Sequence, residues 1–221
     1  LNLCREVLTC IRNLVQGKEG FFGGNRIPAL NNYEPMDIPI CLAANGPKML
    51  ELAGEVGDGA IVSAGISPEI LEWVKTRIES GLRKSGRSWS EFRLIIFVGC
   101  AVSEKRSDAK SNIRPWVARR LSMPLPEEVS GISREDRLRA LQNYEYTQHY
   151  RVDASHQGLV ETIPDEWIDR FGIAGTPEEC AERFSSISKI GSDAVFILPF
   201  SDNSNLFLET LSNNVLPRIS H

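Results

Sequence analysis

Length, composition and charge exclude several classes of protein at the outset. The chain has 221 residues with 25 basic and 29 acidic side chains, a net charge of -4, so no overall positive field is available to hold a nucleic acid or an anionic membrane. Hydrophobic residues make up 42%, as in ordinary globular proteins, and no apolar run approaches the ~20 residues needed to span a bilayer. We expect one cytoplasmic domain, residues 1–221, whose partner is a small molecule.

Cysteines and histidines give no metal-binding pattern. The cysteines are odd in number and none forms a C-x-x-C pair, so we interpret them as reduced core residues. Neither His149 nor His156 lies in a pattern of cysteines or carboxylates that is typical of zinc. No metal site is therefore expected. The cysteines are Cys4, Cys10, Cys41, Cys100 and Cys180.

The chain opens on a predicted amphipathic helix. Val7 and Ile11 recur at helical spacing between polar residues, and Gly17 follows as a stop signal. Because Leu1 already lies within this pattern, we expect a further segment ahead of it. Residues 21–37 show no period and are expected to form a connecting loop.

Four apolar runs bounded by turn residues predict strands buried on both faces, as in a parallel sheet. Helices alternate with them, beginning at Pro47, after Ser67 and after Thr176, where proline or a capping residue marks the first turn. A closing helix is predicted over 206–216. This alternation predicts an α/β fold of right-handed βαβ units. The strands are predicted over residues 38–44, 60–63, 94–102 and 194–200.

Residues 104–175 break the alternation. This segment is too long for a plain connection, so we predict an insertion with its own helices, for example over 135–150, that can cover an active site. Its charge runs 104–110 and 134–139 alternate in sign, which is typical of solvated helix faces. Two roles are open for its aromatic and histidine side chains, a substrate lid or packing against the sheet. These residues are Tyr144, Tyr146, His149, Tyr150 and His156.

The turn between the first strand and its helix has the features of a phosphate-binding loop. In parallel α/β folds, ligands bind where strands end and helices begin. Gly46 allows close approach to the backbone and can adopt positive φ, Pro47 starts the helix, and the amides of residues 48–50 are expected to hold an anionic oxygen. Asn45 can bond a polar cofactor tail, and Lys48 adds a positive charge. The candidate cofactor-binding residues are Ala43, Ala44, Asn45, Gly46, Pro47, Lys48 and Met49.

Each candidate has a purely structural alternative. Gly46 and Pro47 can serve only to make a tight strand-to-helix turn. Gly175 and Thr176 are further cofactor-binding candidates, but a capping box between Thr176 and Glu179 accounts for that sequence by itself.

Two stretches in the expected order carry a resemblance to a known family. Residues 39–61 read PICLAANGPKMLELAGEVGDGAI, and residues 171–184 read FGIAGTPEECAERF. They are similar to the strand–loop–helix–strand and to the late helix start of the bacterial luciferase-like family of flavin- and F420-dependent oxidoreductases. The resemblance is closest to the methylenetetrahydromethanopterin reductase-like branch and covers most of the chain outside the insertion.

The resemblance implies the C-terminal portion, about four βα units, of a (β/α)8 TIM-type barrel with its cofactor at the C-terminal face of the strands. It implies an oxidoreductase that transfers a hydride between coenzyme F420 and a small organic substrate, with residues 43–47 on the ribityl-phosphate side. An FMN-dependent monooxygenase is the alternative. The family's first four units carry the usual acid and base candidates, so no catalytic residue is assigned.

A partial barrel would expose strand edges and the inner face of its sheet, which favours aggregation unless they are covered. We therefore expect the isolated chain to be an incomplete enzyme, and a homo-oligomer is one way to cover those surfaces. The competing hypothesis is a non-catalytic partial-barrel binding module. A long in-frame continuation of the DNA upstream of Leu1 would favour the enzyme, and a start codon there would favour the module.

Overall fold

A computed structural model describes residues 1–30, 34–123, 125–142 and 163–219. The chain divides into two compact units, of which the first comprises Leu1–Ile61 and Val74–Leu94 and the second comprises Val62–Trp73 and Ile95–His221. The single-domain organisation stays a prediction.

The elements alternate between strand and helix through most of the described chain. The strands are β1 (Gly20–Phe22), β2 (Asn25–Ile27), β3 (Cys41–Ala43), β4 (Gly59–Val62), β5 (Arg93–Val102), β6 (Ile173–Gly175) and β7 (Ala194–Pro199). The α-helices are α1 (Asn2–Val15), α2 (Pro47–Val56), α3 (Pro68–Lys84), α4 (Arg106–Leu121), α5 (Glu127–Ser130), α6 (Arg134–Leu141), α7 (Asp165–Phe171), α8 (Pro177–Lys189) and α9 (Ser204–Thr210). A 3-10 turn at Trp89–Glu91 precedes β5, and a π-helical turn at Leu211–Val215 and a 3-10 turn at Leu216–Arg218 follow α9.

The four predicted strands are confirmed as β3, β4, β5 and β7, and the predicted helix starts are confirmed at α2, α3 and α8. The prediction that residues 21–37 only form a connecting loop is wrong. β1 and β2 pair as an antiparallel hairpin, with Phe22 opposite Asn25. Gly23 and Gly24, both at positive φ, supply the two-residue turn whose twist suits a hairpin, and strands of three residues are too short to show a period.

In the first unit, Asp58 fixes the start of the parallel pair β3 and β4, in which Leu42 lies opposite Ala60. Its carboxylate accepts a hydrogen bond of 2.7 Å from the backbone N–H of Ile40 and one of 3.0 Å from Arg12. The strand is therefore anchored at its beginning, and its carboxyl end leads into α2.

Two glycines let α2 approach the later turns of α3 in the first unit. A Cβ at Gly54 would overlap the carbonyl oxygen of Ile78, and one at Gly81 would overlap the carbonyl oxygen of Glu51. Only glycine permits this distance, so the two helices meet backbone to backbone.

In the second unit, β5 is the central strand of a parallel sheet. Phe97 lies opposite Phe196 of β7, and Cys100 lies opposite Ile173 of β6. β6 was missed in the sequence because its three residues stand at the end of the segment assigned to the insertion.

The two faces of β5 are covered by different helices. On one face Cys100 contacts Cys180 of α8. On the other, the Phe97 ring packs edge-on against Trp116 of α4 with centroids 5.5 Å apart, and a Cβ at Gly99 would lie 2.7 Å from the same indole. α4 therefore covers the face of β5 opposite to α8.

The segment predicted as an insertion contains the helices α4 to α7. The helix predicted over 135–150 begins as α6, Arg134–Leu141, and residues 143–150 of that prediction lie outside the described residues. The interpretation of residues 104–110 as a solvated run is wrong for Lys110, which is 4% exposed. Its Nζ lies 3.4 Å from Asp165 and 3.5 Å from Asp169 of α7. The five aromatic and histidine candidates, Tyr144, Tyr146, His149, Tyr150 and His156, lie outside the described residues.

The cysteines are all free thiols. Cys10, Cys100 and Cys180 are buried as predicted, Cys41 is half-buried, and Cys4 is exposed, so the core interpretation is wrong for Cys4. Its place near the start of α1 leaves it in solvent. In the described ranges, no helix has the length and apolar character needed to cross a membrane.

Candidate functional site

The loop after β3 stands at the carboxyl end of a parallel strand, as predicted. The backbone N–H of Ala44 donates to the carbonyl of Ile61 at 3.1 Å, which continues the pairing one residue beyond β3. Ala43 is exposed, whereas Ala44 is 1% exposed and faces the core. Of the two small residues, only Ala43 leaves room for a ligand.

Gly46 is the N-cap of α2 and Pro47 is its first residue. The φ of Gly46 is −92° and its ψ is 158°, so the positive φ considered in the sequence is not used. A Cβ built on Gly46 would meet no protein atom within 4 Å. The backbone at this position therefore faces open space, as close approach of a ligand requires.

The expectation that the amides of residues 48–50 are all available is wrong for two of them. The N–H groups of Met49 and Leu50 both donate to the carbonyl of Gly46, at 3.1 and 2.9 Å. Pro47 has no N–H, so the amide of Lys48 is the donor of this turn that can point to an anion. The Lys48 side chain is exposed and carries its positive charge beside that amide.

Gly175 and Thr176 form a helix cap. The Thr176 hydroxyl accepts from the Glu179 N–H at 3.4 Å, and the Glu179 carboxylate accepts from the Thr176 N–H at 3.0 Å. Glu179 folds back over Gly175, where a Cβ would overlap its carboxylate. The capping role is confirmed, and a role of these residues toward a cofactor stays a prediction.

A cavity of about 430 Å³ lies where β5 and β7 end. Ser103 directly follows β5, and Ser201 follows β7 after one intervening residue, Phe200. Both hydroxyls therefore lie at carboxyl ends of strands. Ser103 was not among the predicted site residues, although its place directly after an apolar run was a usable signal. The cavity is lined by Val102, Ser103, Glu104, Lys105, Asp108, Ser201, Leu206, Phe207 and Thr210.

A buried arginine at the carboxyl end of β4 was also missed. Arg120 of α4 is 2% exposed, and its Nη1 donates to the backbone carbonyl of Ser63 at 2.9 Å and to the Ser63 hydroxyl at 2.5 Å. Its guanidinium carbon lies 4.1 Å from the centre of the Trp116 ring, a cation–π distance. Arg120 and Ser63 are far apart in the sequence, so no local sequence pattern predicts that they are joined by hydrogen bonds.

Comparison of the sequence with known proteins places this chain in a family. The sequence model described as luciferase-like monooxygenase matches residues 1–194. The 5,10-methylenetetrahydromethanopterin reductase of Archaeoglobus fulgidus is 31% identical over 225 residues, which are 99% of this chain and 67% of the relative. The F420-dependent glucose-6-phosphate dehydrogenase of Beutenbergia cavernae is 27% identical over 222 residues, 97% of this chain and 60% of the relative.

Solved structures agree in fold. The coenzyme F420 dependent tetrahydromethanopterin reductase from Methanopyrus kandleri gives a TM-score of 0.78 at 22% identity over 98% of this chain and 63% of that chain. An F420-dependent secondary alcohol dehydrogenase in complex with an F420-acetone adduct gives 0.70 at 16% identity over 100% of this chain and 62% of that chain. The chain thus spans roughly two thirds of these proteins, and its α/β fold is similar to their TIM-barrel-like fold. It belongs to the luciferase-like monooxygenase family.

Proposed function

We propose that this chain carries part of an F420-dependent oxidoreductase that transfers a hydride between the deazaflavin and a small organic substrate. Two relatives named for F420 or for a reductase align along almost the whole chain, at 31% and 27% identity. The observation that carries the proposal is the loop after β3, where Gly46 faces open space at a strand end.

The residues of this loop fit an anionic tail. Ala43 and Gly46 present no side chain that would block it, and the Lys48 amide lies in the first turn of α2, where the helix dipole favours a negative charge. The Lys48 ammonium adds attraction that salt screens, because it is exposed. Bound F420 would supply the hydride chemistry, and the loop would orient it by its phosphate side.

The first test is binding of the cofactor. We expect oxidised F420 to bind, measured by its fluorescence in a titration, and Lys48→Ala to weaken that binding by about three- to tenfold at low salt, since an exposed charge near an anion contributes on the order of 1 kcal/mol. Lys18→Ala removes an equal charge from an exposed site in the first unit and should leave binding unchanged.

A monooxygenase that uses FMN is the second candidate. The family description and a solved relative, a long-chain alkane monooxygenase with a TM-score of 0.55, favour it. Tight binding of FMN with no binding of F420 in the same titration would reverse the order of the two proposals.

Turnover is a separate question from binding. We expect the isolated 221-residue chain to bind without robust turnover, because it spans only 67% and 60% of the length of the two relatives compared above. Robust oxidation of reduced F420 with methylenetetrahydromethanopterin, or robust reduction of oxidised F420 with glucose 6-phosphate, catalysed by the isolated chain would contradict that expectation.

A further inference from the structure

A cavity of about 400 Å³ lies beside α6 in the second unit, next to the end of α4 and the segment that precedes α5. Its wall is largely apolar. Leu121 and Leu125, which are 2% and 5% exposed, form its inner side, and Leu138 of α6 stands at its edge with 57% of its surface exposed. A single exposed leucine is common on protein surfaces, but one that continues the wall of a cavity marks a place where an apolar group can bind.

The charged side chains that line this cavity are mainly positive. Arg134 and Arg137 of α6 both line it, and Glu127 of α5 is the acidic residue beside them. The Glu127 carboxylate already accepts a hydrogen bond of 2.6 Å from the backbone N–H of Arg134. A negative charge that enters the cavity therefore meets two guanidinium groups and one carboxylate that is already partly satisfied.

Arg134 has no carboxylate partner in the part of the chain that the structure describes. Its side chain is exposed, and the nearest acid, Glu127, is bonded to its backbone and forms no ion pair with its guanidinium. Arg139, further along α6, differs because it pairs with both Glu135 and Asp136. The charge of Arg134 is thus available to an anion from outside the chain.

Arg137 is held in place but keeps its positive charge. Its guanidinium donates to the backbone carbonyls of Met123 and Leu125, at 3.1 and 2.9 Å, and to the Ser130 hydroxyl at 3.2 Å. All three acceptors are neutral, so these bonds fix the guanidinium without cancelling its charge. A partly buried cation gains from a nearby anion, because the surrounding protein screens the attraction less than water does.

We propose that this cavity binds a medium-chain fatty acid in its ionised form, with the carboxylate beside Arg134 and Arg137 and the alkyl chain along the three leucines. A neutral hydrocarbon would leave both guanidinium groups without an anion, and a small hydrophilic anion would leave the apolar wall in contact with water. All the residues concerned belong to the second unit. The inference is therefore independent of the proposed function, which rests on a loop of the first unit.

The probe is octanoate, titrated into the isotopically labelled chain and followed by the amide chemical shifts of α6. We expect saturable binding. The dissociation constant should fall about three- to fourfold for each CH₂ added from hexanoate to decanoate, as burial of the chain requires. 1-Octanol has the same chain without the charge and should bind about three- to tenfold more weakly, and added salt should narrow this difference because Arg134 is exposed.

Two substitutions and a matched control test the individual residues. Arg134→Gln should weaken octanoate binding about three- to tenfold and leave octanol binding unchanged, whereas Leu138→Gln should weaken the binding of both. Arg139→Gln makes the same change on the same helix, at a residue that does not line the cavity, and should alter neither. All three positions are exposed, so the midpoints of thermal unfolding should stay close to that of the wild type.

The assignment is overturned if octanol binds as tightly as octanoate, or if Arg139→Gln weakens octanoate binding as much as Arg134→Gln does. Absence of saturable binding by every acid of the series overturns the site itself. Binding to phosphatidylglycerol vesicles without binding of free octanoate would assign the same chemistry to a membrane lipid and overturn the free acid as the ligand. Titration with F420 tests the proposed function separately, so the failure of one proposal leaves the other standing.

Discussion

Gly46 occupies the N-cap of α2 with backbone angles that any residue can adopt. Glycine is therefore not required there by the fold, and its Cα faces open space. A position that tolerates a side chain sterically and yet lacks one fits a role toward a ligand. We therefore expect a substitution at Gly46 to weaken ligand binding without lowering the free energy of unfolding.

We predict that Gly46→Asn leaves the free energy of unfolding unchanged or raises it by a few tenths of a kcal/mol, because asparagine is a good N-cap. Its side-chain oxygen would accept a hydrogen bond from the backbone N–H of Lys48 or Met49 in the first turn. It would therefore occupy the position that we assign to the anion. F420 affinity should fall at least tenfold. Unfolding in urea and fluorescence titration measure the two quantities, and unchanged affinity would remove Gly46 from the site.

Gly99 is the opposite case. A Cβ there would lie 2.7 Å from the Trp116 ring and 3.0 Å from that of Phe200, so Gly99→Ala should destabilise the chain by roughly 1–3 kcal/mol through overpacking. Urea unfolding measures this loss of stability. Gly191→Ala is not a suitable control, because Gly191 has a positive φ at which alanine is itself strained. Wild-type stability in Gly99→Ala would show that α4 does not press on β5 as described.

At the scale of the element, α8 shows how a helix start responds to acid. The pKa of the exposed Glu178 carboxyl lies below its ordinary value, first because its own backbone N–H donates to it and then because the Thr176 hydroxyl does. A lowered pKa in the folded state means that this stabilisation is present above the unfolded pKa and is lost as pH falls through the folded value.

The expected result is that Glu178→Gln lowers the free energy of unfolding at pH 7, and that the difference from wild type shrinks as the pH drops below 4.5, the ordinary value. Glu182→Gln, on the same helix beyond the first turn, should show a smaller and flatter difference. Urea unfolding at a series of pH values gives both curves, and a difference that grows on acidification would contradict the assignment.

Elements whose signals are local could be predicted, and those that depend on distant partners could not. The start of α2 follows from Pro47 and the apolar run before it, and the start of α8 follows from its capping box. α4 is different, because its sequence is rich in charge while its Lys110 and Arg114 are buried against Asp165. No periodicity within α4 predicts partners in α7.

The same distinction divides the candidate site. The loop over 43–49 was visible as a glycine and a proline after a short strand, so its place at a strand end could be predicted. The hydrogen bonds that Met49 and Leu50 donate to Gly46 depend on how tightly the first turn closes, which the residue types leave open. Arg120 was missed because its partner Ser63 lies on another element.

At the scale of the whole molecule, β7 is an edge strand of the kind that favours self-association. It pairs with β5 along one edge, and on its other edge it pairs with no strand within the described ranges. Phe196, in the middle of this strand, is 49% exposed. An apolar strand with an open edge is a template for pairing with another chain.

Phe196→Lys should therefore reduce self-association of the isolated chain, because a charge on an edge strand opposes pairing. Light scattering coupled to size exclusion would show the shift toward monomer. Leu138→Lys makes the same change at a helical residue that is 57% exposed and should leave the distribution as it is. Equal effects of the two variants would indicate that added charge alone, and not strand pairing, governs solubility.

The backbone contact between α2 and α3 at Gly54 and Gly81 also has a dynamic consequence. If either helix moved along the other, the carbonyl oxygen of Ile78 or of Glu51 would collide with the Cα of the facing glycine. This contact, on a later turn of α2, therefore also holds the first turn of α2 in place. Amide protons of these turns should exchange slowly with solvent, and replacing either glycine by alanine should accelerate that exchange at the loop after β3 as well as at the contact itself.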